Sequence, residues 1–199
     1  MKVIVIGGKG TIGTAVVNEL KSRHEIIIAG RQHGDVTVDI EDPASIEKMY
    51  QTVGKFDAVI ATTGKVHFAD FASMTVENYY VGIHNKLMGQ VNLVVIGSRY
   101  INANGSFTLT SGILSHDPIR AGTSASMVNG ALESFVKATA IELTEGKRIN
   151  IVSPTVLVES MSVYGDFFRG FAPVPAARVA LAYSKSVEGL QTGQIYTAL

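Results

Sequence analysis

Val3-Ile4-Val5-Ile6-Gly7-Gly8-Lys9-Gly10-Thr11-Ile12-Gly13-Thr14-Ala15-Val16 stands near the start of the chain. An apolar, β-rich run breaks at glycines spaced three apart and resumes with helical periodicity, and this order of strand, glycine turn and helix decides the fold. A strand that turns sharply into a helix while its amides approach a pyrophosphate leaves no room for a Cβ, and Gly7, Gly10 and Gly13 supply that clearance. An anion would sit on the free amides of the helix N-terminus, around Thr11 and Ile12, where the helix dipole favours it. The motif predicts a dinucleotide-binding βαβ unit; the plainer alternative is a strand-to-helix turn without a ligand.

The same alternation continues outward from this stretch. Strands are predicted at 2–6, 25–29, 36–38, 58–61, 106–110, 149–152 and 194–197, with helical patterns near 14–22, 43–52, 75–101, 123–144 and 175–187. The fold class is therefore α/β: a Rossmann-like, doubly wound, parallel seven-stranded sheet with helices on both faces, in three α/β/α layers. Asp42-Pro43 reads as an N-cap followed by proline at the first helical position, and Thr75 with Asn78 opens the long middle helix.

With 199 residues, 46% hydrophobic and 17% charged, the chain is expected to form one domain over 1–199 with a substantial core. Seventeen Lys+Arg balance 17 Asp+Glu, so no net field draws nucleic acid or an anionic membrane. Cysteine is absent, which removes disulfides, thiolate metal sites and a cysteine nucleophile and fits a reducing compartment. No metal site is expected. No apolar run is long enough to span a bilayer and Met1-Lys2 leads directly into strand one, so a cytoplasmic location is expected.

In doubly wound sheets ligands bind beyond the carboxyl ends of the strands, so the residues after each strand are the candidates. They are the glycine loop, Gly30-Arg31, Asp39-Ile40, Thr62-Thr63-Gly64, Ser111 and Pro154. A ribose 2′-hydroxyl is usually met by an acid at the end of strand two, whereas a 2′-phosphate needs a cation there. Arg31 stands at that place with no acid before Asp35, and Lys9 offers a second charge, so NADP(H) is favoured over NAD(H). The competing reading leaves Arg31 and Lys9 as solvated surface charges. Asp39 also has two readings, as acceptor for an adenine amino group or as a turn former.

Together these residues resemble the short-chain dehydrogenase/reductase family from end to end. The resemblance rests on Gly7-x-x-Gly10-x-x-Gly13, Asp39-Ile40, Thr62-Thr63-Gly64 in place of an Asn-Ala-Gly turn, Thr110-Ser111, the stretch Arg148 to Pro154, and Thr192-Gly193-Gln194. It implies an oxidoreductase acting on a small carbonyl or alcohol. In the family a tyrosine moves the proton, a lysine four residues later lowers its pKa and binds the nicotinamide ribose, and a serine polarises the carbonyl. Ser111 takes the serine's place. Where the family reads Tyr-Ser-Ala-Ser-Lys this chain reads Thr123-Ser124-Ala125-Ser126-Met127, registering Thr123 on the tyrosine and Met127 on the lysine. In His84-Asn85-Lys86-Leu87-Met88-Gly89, with Gly89 as the registered glycine, Lys86 takes the place of the family's helical asparagine and Asn85 falls one residue off.

A threonine hydroxyl is a poor acid at neutral pH and Met127 carries neither charge nor donor, so the family's mechanism cannot run unchanged. Substitutes are His116, five residues beyond Ser111, Tyr164 in the segment after Pro154, and Lys86. Each has a plainer role: surface histidine, aromatic packing on Phe167 and Phe168, or solvated lysine. Two functions follow. One is an NADP(H)-dependent oxidoreductase for a small carbonyl or alcohol, with Ser111 orienting the oxygen and a non-standard proton donor. The other is a catalytically silent NADP(H)-binding sensor or regulatory protein. A scaffold without cofactor leaves Lys9 and Arg31 unexplained. Residues 155–173 resemble the family's substrate-covering loop. Helices 75–101 and 123–144 form the family's subunit interface and are apolar on more than one face here, so a homodimer or homotetramer is expected.

Overall fold

The computed structural model describes residues 1–199. Each predicted β run forms a strand: β1 Lys2–Ile6, β2 Glu25–Gly30, β3 Val36–Thr37, β4 Phe56–Ala61, β5 Ile101–Thr110, β6 Arg148–Pro154 and β7 Ile195–Ala198. They form one all-parallel sheet in the order β3-β2-β1-β4-β5-β6-β7. The order reverses between β1 and β4, which is where such a sheet opens a crevice beyond its carboxyl ends.

Seven α-helices flank the sheet: α1 Thr11–Leu20, α2 Pro43–Val53, α3 Val76–Val81, α4 Gly89–Gly97, α5 Thr123–Ala140, α6 Met161–Tyr164 and α7 Ala176–Glu188. In β1, Val3 and Val5 face the layer of α1 and α7 while Ile4 and Ile6 face that of α2, α4 and α5. Burial on both faces is why this strand reads as a continuous apolar run. The expected caps are present. Asp42 Oδ1 accepts the Ala44 amide at 2.9 Å, with Pro43 opening α2, and Thr75 and Asn78 close a capping box. Each is worth about 1 kcal/mol.

The helical region expected over 75–101 forms over residues 76–97, though not as one regular α-helix. α3 and α4 are joined by a π-helical segment, Gly82–Met88. Its two ends approach neighbours closely: a Cβ on Gly82 would meet Ser124 Oγ at 3.1 Å, and one on Gly89 would meet Ile40 Cδ1 at 2.7 Å. A π-helical turn holds more residues than an α-turn, which changes the directions of the side chains along it. β5 begins at Ile101 rather than 106, and its early half pairs with β4 through a register shift between Phe56 and Ala58. The last helical turn expected near 144 is absent, because α5 stops at Ala140.

Candidate functional site

The glycine loop is shaped by backbone contact. Gly7 has φ +81°, a region that L residues rarely adopt. A Cβ on Gly13 would lie 2.1 Å from Gly7 O and 2.7 Å from Gly8 Cα, so α1 starts hard against the loop. Gly10 N donates to Gly7 O at 2.9 Å, and Gly10 caps α1 without a side chain. The amides of Thr11, Ile12 and Gly13 open the helix, where no intrahelical acceptor reaches them.

Two clefts lie along the carboxyl edge of the sheet. The first, of about 330 Å³, takes Gly7, Arg31, Asp39, Ile40, Thr63 and Gly64 into its wall. Thr62 stands behind it, its hydroxyl donating to Ile6 O at 3.0 Å. Arg31 Nη2 and Nε donate to Asp39 Oδ2 at 2.7 and 3.1 Å, and the Glu41 amide donates to Oδ1 at 3.1 Å. The Glu41 amide first, and Arg31 second, hold the Asp39 carboxyl below its ordinary pKa. Both Asp39 oxygens are engaged by groups of this chain. Arg31 remains 70% exposed. Lys9 does not join it: Lys9 lines a separate depression of about 640 Å³ outside the loop with Thr14, Asn18 and Glu159. The second cation on the Arg31 cleft is Lys65.

The other cleft, about 260 Å³, is lined by Ile12, Lys86, Ser111, Ala125, Asn129 and Pro154, under an apolar cover that includes Phe68, Leu157, Tyr164 and Phe168. Its floor is the end of β5. Gln90 clamps that end, Nε2 donating to Thr110 O at 2.9 Å and Oε1 accepting the Thr110 amide at 2.8 Å. Four residues earlier, on the π-helical segment, Lys86 Nζ donates to Ser111 O at 2.9 Å. Its stem passes beneath Gly64, where a Cβ would sit 2.5 Å from Lys86 Cγ. Burial pushes the Lys86 amine down to about 8, opposed by the negative charge of Glu133. Asn85 points away, accepting the Lys65 amide and donating to Glu41 Oε1, each at 2.6 Å.

Behind Ser111 lies Glu133, only 4% exposed. Its Oε1 accepts the Ser111 and Ser115 hydroxyls, each at 2.8 Å, and its Oε2 is 2.9 Å from His116 Nε2. His116 thus faces Glu133 rather than the cleft. Tyr164 does reach the cleft, its ring 6.2 Å from that of Phe68. The segment carrying it is tied at its base by a parallel bridge between Leu157 and Val174.

Of the four residues expected to carry the chemistry, Lys86 and Ser111 line this cleft and Thr123 and Met127 do not. Thr123 Oγ1 is paired with the Tyr79 hydroxyl at 3.0 Å, and Met127 is 43% exposed. Two residues along a helix turn a side chain through about 200°. The pair one turn apart that faces Ser111 is Ala125 and Asn129. Asn129 Nδ2 donates to Gly112 O at 3.3 Å, while its Oδ1 is buried with no partner. Asn129 and Glu133 were missed in the sequence, although polar residues four apart beside the apolar stripe Val128, Leu132 and Val136 are a signal of buried polar function.

No helix is long and apolar enough to cross a membrane. A family model described as enoyl-(acyl carrier protein) reductase matches residues 8–190. The protein lin1944 from Listeria innocua is 51% identical, with a TM-score of 0.99 over 100% of both chains. A small-chain dehydrogenase is 28% identical with a TM-score of 0.86, covering 99% of this chain and 95% of its own. A small-chain dehydrogenase solved in complex with NADPH is 26% identical with a TM-score of 0.88, at the same coverages. No curated protein matches the chain significantly. The match of residues 8–190 to a family model, on a sheet ordered 3-2-1-4-5-6-7 with a glycine loop at its switch point, establishes that the chain belongs to the short-chain dehydrogenase/reductase family of oxidoreductases.

Proposed function

We propose that the protein is an NADP(H)-dependent oxidoreductase for a small, apolar carbonyl or alcohol compound. The observation that carries this reading is the pairing of a glycine cradle that a Cβ at Gly13 would fill with an orphaned, buried acceptor, Asn129 Oδ1, in the adjoining cleft. The residues fit a nicotinamide dinucleotide. Its pyrophosphate suits the amides of Thr11, Ile12 and Gly13. Its adenosine end suits the cleft of Arg31, Ile40, Thr63 and Gly64, and its nicotinamide end suits the cleft of Ile12, Ser111 and Pro154. Asn129 Oδ1 would accept a ribose hydroxyl. On this reading Ala125 and Asn129, not Thr123 and Met127, take the places of the family's tyrosine and lysine.

Preference for the 2′-phosphate rests on Arg31, which would exchange Asp39 for the phosphate, with Lys65 as the nearer second cation. The relative solved with NADPH supports the same choice. Bound in its reduced form, the cofactor would supply a hydride to a carbonyl carbon; the chain would place the carbonyl oxygen beside Lys86 and Ser111 and exclude water with residues of 155–173 such as Leu157, Tyr164 and Phe168. The small apolar volume favours substrates without charged groups.

A second reading, a sensor that binds NADP(H) without turnover, draws on the apolar Ala125 facing Ser111. Ala125→Tyr with Asn129→Lys separates the two. A large gain in carbonyl reduction supports a site that accepts substrate; no gain with any carbonyl supports the sensor. Calorimetry with NADPH and NADH tests the cofactor reading common to both. The same proposal includes a two-fold assembly through α4 and α5, where Val95 is 58% exposed beside a groove holding Val94, Phe135, Ala138 and Leu143.

A further inference from the structure

Lys86 is the one charged side chain in the wall of the Ser111 cleft. An ammonium has three donors, and a single protein acceptor, Ser111 O, is within hydrogen-bond distance of it. Ser111 is placed differently. Its hydroxyl has one proton, and that proton is given to Glu133 Oε1 at 2.8 Å. Asn129 Nδ2 gives one of its two protons to Gly112 O, and Ala125 has no polar atom. Among the donors a carbonyl oxygen meets there, Lys86 is the only charged one, beside the neutral Asn129 amide and the Ser160 and Tyr164 hydroxyls of the cover.

Resting on the oxidoreductase reading above, we propose that Lys86 is the catalytic acid that protonates the carbonyl oxygen, with Glu133 as the positioning residue that holds Ser111. As hydride from the reduced nicotinamide cofactor bonds to the carbonyl carbon, the π pair moves onto oxygen. That oxygen takes a proton from Lys86 Nζ: the cofactor's C–H bond and an N–H bond break, a C–H and an O–H bond form, and an alcohol, the oxidised cofactor and a neutral amine remain. The amine regains its proton from water, and alcohol oxidation runs the same steps in reverse.

The surroundings suit the task. An acid works best when its pKa lies near the working pH, and burial in an apolar cleft brings Lys86 to about 8. Burial disfavours the charged form, and Glu133 opposes it from α5. Glu133 is itself held by Ser115 and His116 from the segment after β5. The covering segment places only neutral side chains in the cleft, Tyr164 and Ser160 among them. A π-helical turn that aims a lysine at the end of the strand is the kind of irregularity often found at working sites.

The test uses two readouts on the full-length protein. In apo protein with isotope-labelled lysine, NMR titration follows Lys86, assigned by comparison with Lys86→Arg. The expected midpoint is about 8, against about 10.4 for solvated lysines, and Glu133→Gln lowers it further. In the holoenzyme at pH 7, NADPH oxidation is followed with butanal, benzaldehyde, cyclohexanone and 2,3-butanedione. Lys86→Met is expected to lower kcat by about a hundredfold or more with unchanged NADPH affinity, and Lys86→Arg, which keeps charge and fold, to move the alkaline limb of the pH profile upward. A Lys86 midpoint near that of solvated lysines and insensitive to Glu133→Gln overturns the proposal. So does wild-type turnover in Lys86→Met. NADPH binding without oxidation by any of the four carbonyls overturns the proposal and spares the cofactor reading, whereas no NADPH binding overturns both.

Discussion

Gly13→Ala probes the glycine cradle most sharply. The added Cβ would lie 2.1 Å from Gly7 O, 2.7 Å from Gly8 Cα and 2.8 Å from Gly7 C, all backbone atoms that no rotamer change can relieve. Ordinary contact begins at 3.4 Å, so α1 and the loop must separate by about 1 Å, an overpacking strain of about 1–3 kcal/mol. That movement pulls the Thr11 and Ile12 amides off the phosphate position, and hydrogen bonds to charged groups are worth about 1.5–3 kcal/mol each. A loss of about 3 kcal/mol weakens NADPH binding roughly a hundredfold. Gly130→Ala is the matched control. Nothing lies within 4 Å of its added Cβ, and alanine in a helix interior gains about 1 kcal/mol over glycine, which raises Tm by about 2–4 °C. Calorimetric titration with NADPH, alongside thermal melts by circular dichroism, reads both. A folded Gly13→Ala protein that binds NADPH within threefold of wild type would refute the cradle argument.

Other perturbations address separate parts of the account. Arg31→Ala is expected to weaken NADPH binding at least about tenfold while leaving NADH and Tm nearly unchanged, because its pair with Asp39 is largely exposed; equal loss for both cofactors in calorimetry would contradict it. Glu188 links the end of α1 to α7, and Arg23 first, then Ser184 and His24, hold its carboxyl down at about 2 from an ordinary 4.5. A depressed folded pKa stabilises above the unfolded value and is lost as pH falls from 4.5 toward 2. Urea melts should therefore show Glu188→Gln losing less stability over that interval than wild type, by no more than about 1 kcal/mol at this half-exposed site; parallel loss in both proteins would remove the linkage. Val95→Asp on the exposed face of α4 is expected to halve the mass seen by light scattering, and a monomeric wild type would refute the assembly.

The architecture was readable because its signals are local. β1 alternates between two apolar layers, the glycines follow it at once, and Asp42 and Thr75 cap the helices they precede. The irregular middle was not readable, since the π-helical segment packs Gly82 near Ser124 and Gly89 near Ile40, contacts between residues distant in the chain. On α5 two sequence signals point to different residues: Thr123-Ser124-Ala125-Ser126-Met127 carries the family's Ser-Ala-Ser, whereas the helix phase turns other positions inward. Val128, Leu132 and Val136 are fully buried, and their phase already sets Ala125, Asn129 and Glu133 on the adjoining inner face, with Met127 turned outward. Lys9 and Arg31 line different depressions, and the path of the loop that separates them is not readable from composition or spacing.

Calorimetric titration of the wild-type protein with NADPH and NADH at matched salt tests the central claim most directly. Micromolar binding of NADPH, preferred over NADH by at least about tenfold or roughly 1.4 kcal/mol, is the expected result. Binding of neither cofactor, or a preference for NADH, would contradict it.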